Sequence, residues 1–146
     1  MTEEHERRRV LVVDDNQDAA DTLAMLLQAE GCDAEAVYGG AQALQAVARR
    51  RPDLVIIDLF MPLMSGDELA RALRQGPFGD QMILVAHTAM SSHLHHEAIV
   101  SAGFDHHLVK PAAIDDLLAL AADDHQHLMR PLRNAAQLSR IHVQPA

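Results

Sequence analysis

A chain of 146 residues with 49% apolar residues is long enough for one domain with a real core. Trp is absent and aromatics make up 3%, so that core must be aliphatic. A formal net charge of -9 argues against a nucleic-acid surface, which needs clustered Lys and Arg. The single Cys32 excludes an internal disulfide, residues 1–9 are too charged for a signal peptide, and no apolar run approaches the roughly 20 residues of a membrane span. The expectation is a soluble cytoplasmic domain with neither nucleic acid nor membrane as a partner.

Residues 1–8 read as a polar lead-in. Val10-Leu11-Val12-Val13 is an unbroken apolar run, which suits a strand buried on both faces, and it ends on Asp14 and Asp15. From about residue 17 to 30, the spacing of Ala19, Leu23, Leu26, Leu27 and Glu30 predicts a helix with Gly31 as its stop. Residues 33–37 form a weaker strand candidate. After Gly39-Gly40, residues 41–50 predict a helix with Leu44, Val47 and Ala48 inward, closed by Pro52.

Leu54-Val55-Ile56-Ile57 is the second buried-strand run, and it ends on Asp58. Met61-Pro62 interrupts regular structure, and Ser65 with Glu68 has the capping-box spacing that opens a helix to Arg74 with Leu69, Ala72 and Leu73 on one face. Beyond the Gly76-Pro77-Phe78-Gly79 loop, residues 82–86 are a third buried run, meeting His87-Thr88. A helix capped by Ser91 or Ser92 runs to Ala102 and stops at Gly103. Residues 105–109 are the last strand, ending at Lys110-Pro111, and residues 114 to about 124 the last clear helix, with Ile114, Leu117, Leu118 and Ala121 inward. The domain therefore spans residues 9–124. Residues 125–146 are a tail, either frayed or holding one short helix after Pro131 that carries Leu132, Ala135, Ala136 and Ile141.

Strand and helix alternate, which predicts an α/β fold: a doubly wound, five-stranded parallel sheet with helices on both faces and right-handed crossovers. The carboxyl ends of parallel strands share one rim, so Asp14, Asp15, Asp58, Thr88 and Lys110 should converge where open α/β sheets bind ligands. Carboxylates brought together at buried strand ends are costly without a cation, and a hard divalent ion such as Mg²⁺ resolves this. Adding the Lys110 charge and the Thr88 hydroxyl equips the rim to handle a phosphoryl group. Taken singly, each residue has a plainer reading: Asp14-Asp15 as a helix cap, Lys110 as a surface lysine, Thr88 as a satisfied loop hydroxyl.

Four pieces of the chain together resemble the receiver domains of two-component response regulators. They are Val-Leu-Val-Val-Asp-Asp-Asn (10–16), Asp-Leu-Val-Ile-Ile-Asp-Leu-Phe-Met-Pro-Leu-Met-Ser-Gly (53–66), Val-Ala-His-Thr-Ala (85–89) and Ala-Gly-Phe-Asp-His-His-Leu-Val-Lys-Pro (102–111). The resemblance implies the flavodoxin-like strand order 2-1-3-4-5. It implies Asp58 as phosphoacceptor, with Asp14, Asp15, Asp58 and the backbone carbonyl of Phe60 holding Mg²⁺. Thr88 and Lys110 would bind phosphoryl oxygens, and Pro111 would follow a cis peptide bond. The implied donor is a phosphohistidine on a sensor histidine kinase or a histidine phosphotransfer protein, and the implied output is a downstream protein docking on the surface from Ser92 to Ala122. Such a chain is no enzyme in the usual sense, catalysing only its own phosphorylation and slow dephosphorylation.

Three residues depart from that pattern. His107 stands where many receivers carry a Tyr or Phe whose rotamer reports phosphorylation, and it is expected either to be the switch or to be a partly exposed edge-strand side chain. Phe60 and Met90 are apolar beside the approach of a hydrolytic water, so slow self-dephosphorylation is expected. His93, His95 and His96 could be a Zn or Ni site, but without Cys or acidic partners they read better as a solvated helix face. Two rival functions compete with this reading. An Mg-dependent aspartyl-phosphate phosphohydrolase is disfavoured because Phe60 stands where a second acid is usual. A phosphorylation-independent receiver-like scaffold is disfavoured because all five rim residues are present.

Overall fold

A computed structural model of the chain describes residues 7–89 and 93–122. Strands β1 (Arg9–Val13), β2 (Asp33–Val37), β3 (Leu54–Ile57), β4 (Ile83–Thr88) and β5 (His106–Val109) alternate with helices α1 (Gln17–Ala29), α2 (Gly40–Arg49), α3 (Gly66–Gln75), α4 (His93–Ala102) and α5 (Ile114–Ala122). The strands form one parallel sheet in the order β2-β1-β3-β4-β5. The continuous apolar runs occupy its centre: β3 is buried at every position, whereas the edge strand β5 is at most partly buried. Sequential β-branched residues tolerate two covered faces, and polar edge strands leave their outer rows to solvent.

Alternation along the strands divides the core in two. Leu11, Val13, Val55, Ile57, Leu84 and Ala86 face α2, α3 and α4, through Val47, Leu69, Leu73, Ile99 and Ala102. Val10, Val12, Leu54, Ile56, Ile83 and Val85 face α1 and α5, through Ala20, Ala24, Leu27, Leu117 and Ala121.

The helices keep their expected positions but turn slightly different faces inward. In α1 the buried stripe is Ala20, Ala24 and Leu27, while Ala19 is exposed and Leu26 is half exposed. Small side chains let that helix lie close on the sheet, and the apolar stripe is wider than the arc the sheet covers. Ala48 is likewise exposed, and α2 buries Ala43, Ala46 and Val47. On α3, Ala70 is buried and Ala72 only partly so. Strand β4 runs two residues beyond the apolar run, to Thr88, because Thr88 pairs with Val109 of β5.

Local chemistry sets the ends. Asn16 caps α1 through its side-chain oxygen, and Ser65 and Glu68 form the capping box of α3. Gly31 and Gly103 take φ of 100° and 103° after α1 and α4, a region that other residues enter only with strain. Away from the rim, Arg74 ties three segments together. Its guanidinium donates to the Gly103, Gly79 and Met82 carbonyls at 2.8 Å and pairs with Asp105 at 2.7 Å. Asp105 is wholly buried and also accepts from the Leu84 N–H at 2.9 Å.

No helix among the described residues is long and apolar enough to cross a membrane. The expected helix after Pro131 and the position of Met90 lie outside the described residues.

Candidate functional site

The parallel sheet delivers the acids to one place. The Asp58 N–H donates to the Val13 carbonyl at 3.0 Å, which locks the end of β3 beside the end of β1. Asp14 and Asp58 are buried and Asp15 is exposed, and their carboxylates each offer an oxygen within 4.8 Å of the other two. Lys110 reaches this group from the end of β5. Its Nζ lies 2.8 Å from Asp14 Oδ2 and 3.7 Å from Asp58 Oδ2. The Lys110 N–H donates to the Thr88 carbonyl at 2.6 Å, so Lys110 and Thr88 are held as one unit, and the Lys110–Pro111 peptide is cis.

Backbone donors steady the carboxylates. The Asn16 N–H donates to Asp14 Oδ1 at 3.0 Å, and the Phe60 N–H donates to Asp58 Oδ1 at 3.3 Å. Gly66, the first residue of α3, donates to the Leu59 carbonyl at 2.9 Å, and a Cβ there would collide with the Asp58 carbonyl oxygen. Only glycine lets α3 begin so close under the acceptor loop. The Phe60 side chain is half exposed.

Burial pushes the Asp58 carboxyl up to about 6. Lys110 opposes that rise, Asp14 adds to it, the Phe60 N–H opposes it and Asp15 adds to it. Three carboxylates against one close ammonium leave the rim net negative, with oxygen-only donors. That donor set fits a hard divalent cation. Among the described residues it is the one grouping with metal-holding geometry.

All five rim residues expected from the sequence lie at adjacent strand ends. The Thr88 side chain is buried, and its Oγ1 lies 3.0 Å from His107 Nε2. His107 is therefore engaged with Thr88 and is only partly exposed. His96 is half-buried with its Nε2 enclosed, which corrects the expectation of a solvated helix face at that position. The side chains of His93 and His95 lie outside the described residues.

Sequence reasoning passed over His87. Its ring is half-buried, and Nε2 is enclosed without a hydrogen-bond partner among the described residues. Burial pushes its pKa down to about 4; Lys110 and His107 add to that and Asp14 opposes it. The available signal was an imidazole inside an otherwise apolar strand, directly before Thr88.

Comparisons with known proteins agree with this arrangement. The response regulator receiver domain family matches residues 10–122. Response regulator MprA of Mycobacterium sp. (strain KMS) is 38% identical over 111 residues, 76% of this chain and 47% of that protein. The chain thus spans about half the length of the curated relatives it matches. Among solved structures, a CheY-like receiver domain from Methylobacillus flagellatus is 35% identical with a TM-score of 0.68, covering 78% of this chain and 98% of that one. The chemotaxis protein CheY4 of Vibrio cholerae is 27% identical with a TM-score of 0.74, covering 84% and 99%. With its sheet order, its acidic rim and this match over most of its length, the chain belongs to the response regulator receiver domain family of two-component signalling.

Proposed function

We propose that Asp58 accepts a phosphoryl group from a phosphohistidine on a sensor histidine kinase or a histidine phosphotransfer protein, in the cytoplasm. The observation that carries this reading is the Asp58 carboxylate, buried at a strand end, grouped with Asp14 and Asp15 and 3.7 Å from Lys110. In the transfer, an Asp58 oxygen attacks phosphorus as the phosphorus–nitrogen bond of the donor breaks. The donor imidazole keeps that bond's electrons and takes up a proton. The chain catalyses this step and the slow loss of the phosphoryl group, and no other turnover.

Asp14, Asp15, Asp58 and the Phe60 carbonyl would hold Mg²⁺. When bound, the ion neutralises negative charge on the carboxylates and phosphoryl oxygens. Lys110 supplies a positive charge to a phosphoryl oxygen, and Thr88 supplies a hydroxyl hydrogen to another. Drawing these two inward shifts the population between two arrangements of the β4–β5 end. His107, bonded to Thr88, moves with it and carries the change to the surface from Ser92 to Ala122, where a downstream protein docks.

Incubation with Mg²⁺ and acetyl phosphate should add about 80 Da, one phosphoryl group, to the intact mass. The Asp58→Asn variant should add nothing; a gain retained by that variant, or none in the native chain, overturns the assignment. The mark should also be long-lived. The apolar Phe60 ring beside the acceptor, together with Met90, cannot orient a water by hydrogen bonding. Phe60→Asn combined with Met90→Glu should therefore speed loss of the phosphoryl group by about tenfold. Equal lifetimes in the two proteins would remove the role assigned to this pair.

A further inference from the structure

Register pairs His107 with Ala86, whose side chain lies in the core on the α4 side, so the His107 ring shares that side of the sheet with Thr88. There its Nε2 meets Thr88 Oγ1 at 3.0 Å. The two atoms share one hydrogen-bond axis, and its direction depends on the tautomer and the proton state of the ring. A neutral imidazole protonated on Nδ1 offers only a lone pair at Nε2, and the Thr88 hydroxyl must then donate to it. A threonine hydroxyl has a single hydrogen, so in that state none remains for a phosphoryl oxygen. A ring protonated on Nε2 donates instead, and the Thr88 hydrogen is released.

We propose that His107 is a positioning residue that controls the hydroxyl hydrogen of Thr88: the ring holds that hydrogen while Asp58 is unmodified, and gains a proton at Nε2 when Thr88 turns its hydrogen to the phosphoryl group. The inference rests on Asp58 being the phosphoacceptor. Phosphorylation adds negative charge at the rim and removes the competing acceptor role of Nε2, and both favour imidazolium. By linkage, proton binding must then favour the phosphorylated arrangement to the same degree. The phosphorylated state therefore gains in stability as pH falls through the imidazole range, from about 8 to 6. A pKa rise of one unit on phosphorylation corresponds to a tenfold preference.

The charged and titratable groups around this ring are specific. Lys110 follows directly on the same strand, with its ammonium 2.8 Å from Asp14 Oδ2 and 3.7 Å from Asp58 Oδ2. His106, adjacent on β5, pairs with Val85 and so belongs to the opposite side of the sheet. His87 on β4 is also on that opposite side, as its register partner Leu108 shows, and its low pKa keeps it neutral over the same window. Helix α4, which covers the His107 side, carries the half-buried His96 and the exposed Glu97 as its titratable groups among the described side chains. The acids Asp14 and Asp58 belong to the rim itself.

The test uses the full chain with Mg²⁺ and beryllofluoride, a stable phosphoryl mimic. Imidazole resonances assigned by comparison with His107→Gln are titrated from pH 5 to 9, with and without the mimic. The expected result is a His107 pKa higher by about one unit in the loaded protein, an effect reduced in Thr88→Val. Apparent affinity for the mimic should rise by up to about tenfold from pH 8 to pH 6 in the native chain, relative to His107→Gln. Glutamine keeps a partner for Thr88 and cannot titrate, so a purely structural role would leave the two pH profiles parallel. Parallel profiles, or an unchanged His107 pKa, with normal mimic uptake overturn the proton coupling alone. Absence of the mass gain at Asp58 overturns both this inference and the function on which it rests.

Discussion

Replacing Arg74 with alanine should cost about 3–5 kcal/mol of folding stability, the range for breaking a buried ion pair from one side. The variant leaves the wholly buried Asp105 carboxylate without its guanidinium partner. It also strips donors from the carbonyls of Gly103, Gly79 and Met82. These groups lie at the starts of β4 and β5 and in the loops before them, so the strands that carry Thr88 and Lys110 lose their anchor. Domains of this size are stable by only about 5–15 kcal/mol. Thermal melting by circular dichroism should fall by about 10–20 °C. Lysine should recover little, because one ammonium cannot reproduce a planar fork that serves separate acceptors. A melting point within a few degrees of the native chain would show that the pair contributes packing and little else.

The second large effect is electrostatic and has the opposite sign. Without metal, Asp58→Asn should stabilise the domain at pH 7. Burial raises the Asp58 pKa from the ordinary 3.8 to about 6, so the ionised carboxylate is held in the fold at a cost. A folded-state pKa above the unfolded one means that folding takes up a proton between those values. The penalty is fully present above about pH 6 and fades as pH falls toward 3.8. The asparagine variant should thus melt higher than the native chain at pH 7–8, by about 1–2 kcal/mol once solvent screening at the open rim is allowed for. The two curves should converge near pH 4. Adding Mg²⁺ at pH 7 should raise the native melting point and narrow the gap, since a ligand bound only by the folded state stabilises it. A gap that is independent of pH would place the stabilisation elsewhere than in the charge.

The alternation of apolar runs with helical spacing determined the fold class, because a strand buried on both faces and an amphipathic helix have incompatible periods. Turn chemistry was equally legible. Gly31 and Gly103 end helices where the sequence placed their stops, and Ser65 with Glu68 caps α3. The candidate rim followed from one rule: parallel strands end on the same side, which brings Asp14, Asp58, Thr88 and Lys110 together before any distance is known.

Distances and faces belong to the tertiary structure. Leu26 satisfies a helical apolar pattern and is nonetheless half exposed, since the sheet covers only the narrow arc of Ala20, Ala24 and Leu27. The Arg74–Asp105 pair joins residues 31 apart and has no sequence signature. The hydrogen bond between Thr88 and His107 arises because register sets β5 against β4. Which groups meet at the rim is legible before any coordinates, because strand direction is a property of the whole pattern. Only packing decided that Asp58 is buried enough to resist ionisation and that an imidazole holds the Thr88 hydroxyl, because both depend on contacts of a few ångströms between segments far apart in the chain.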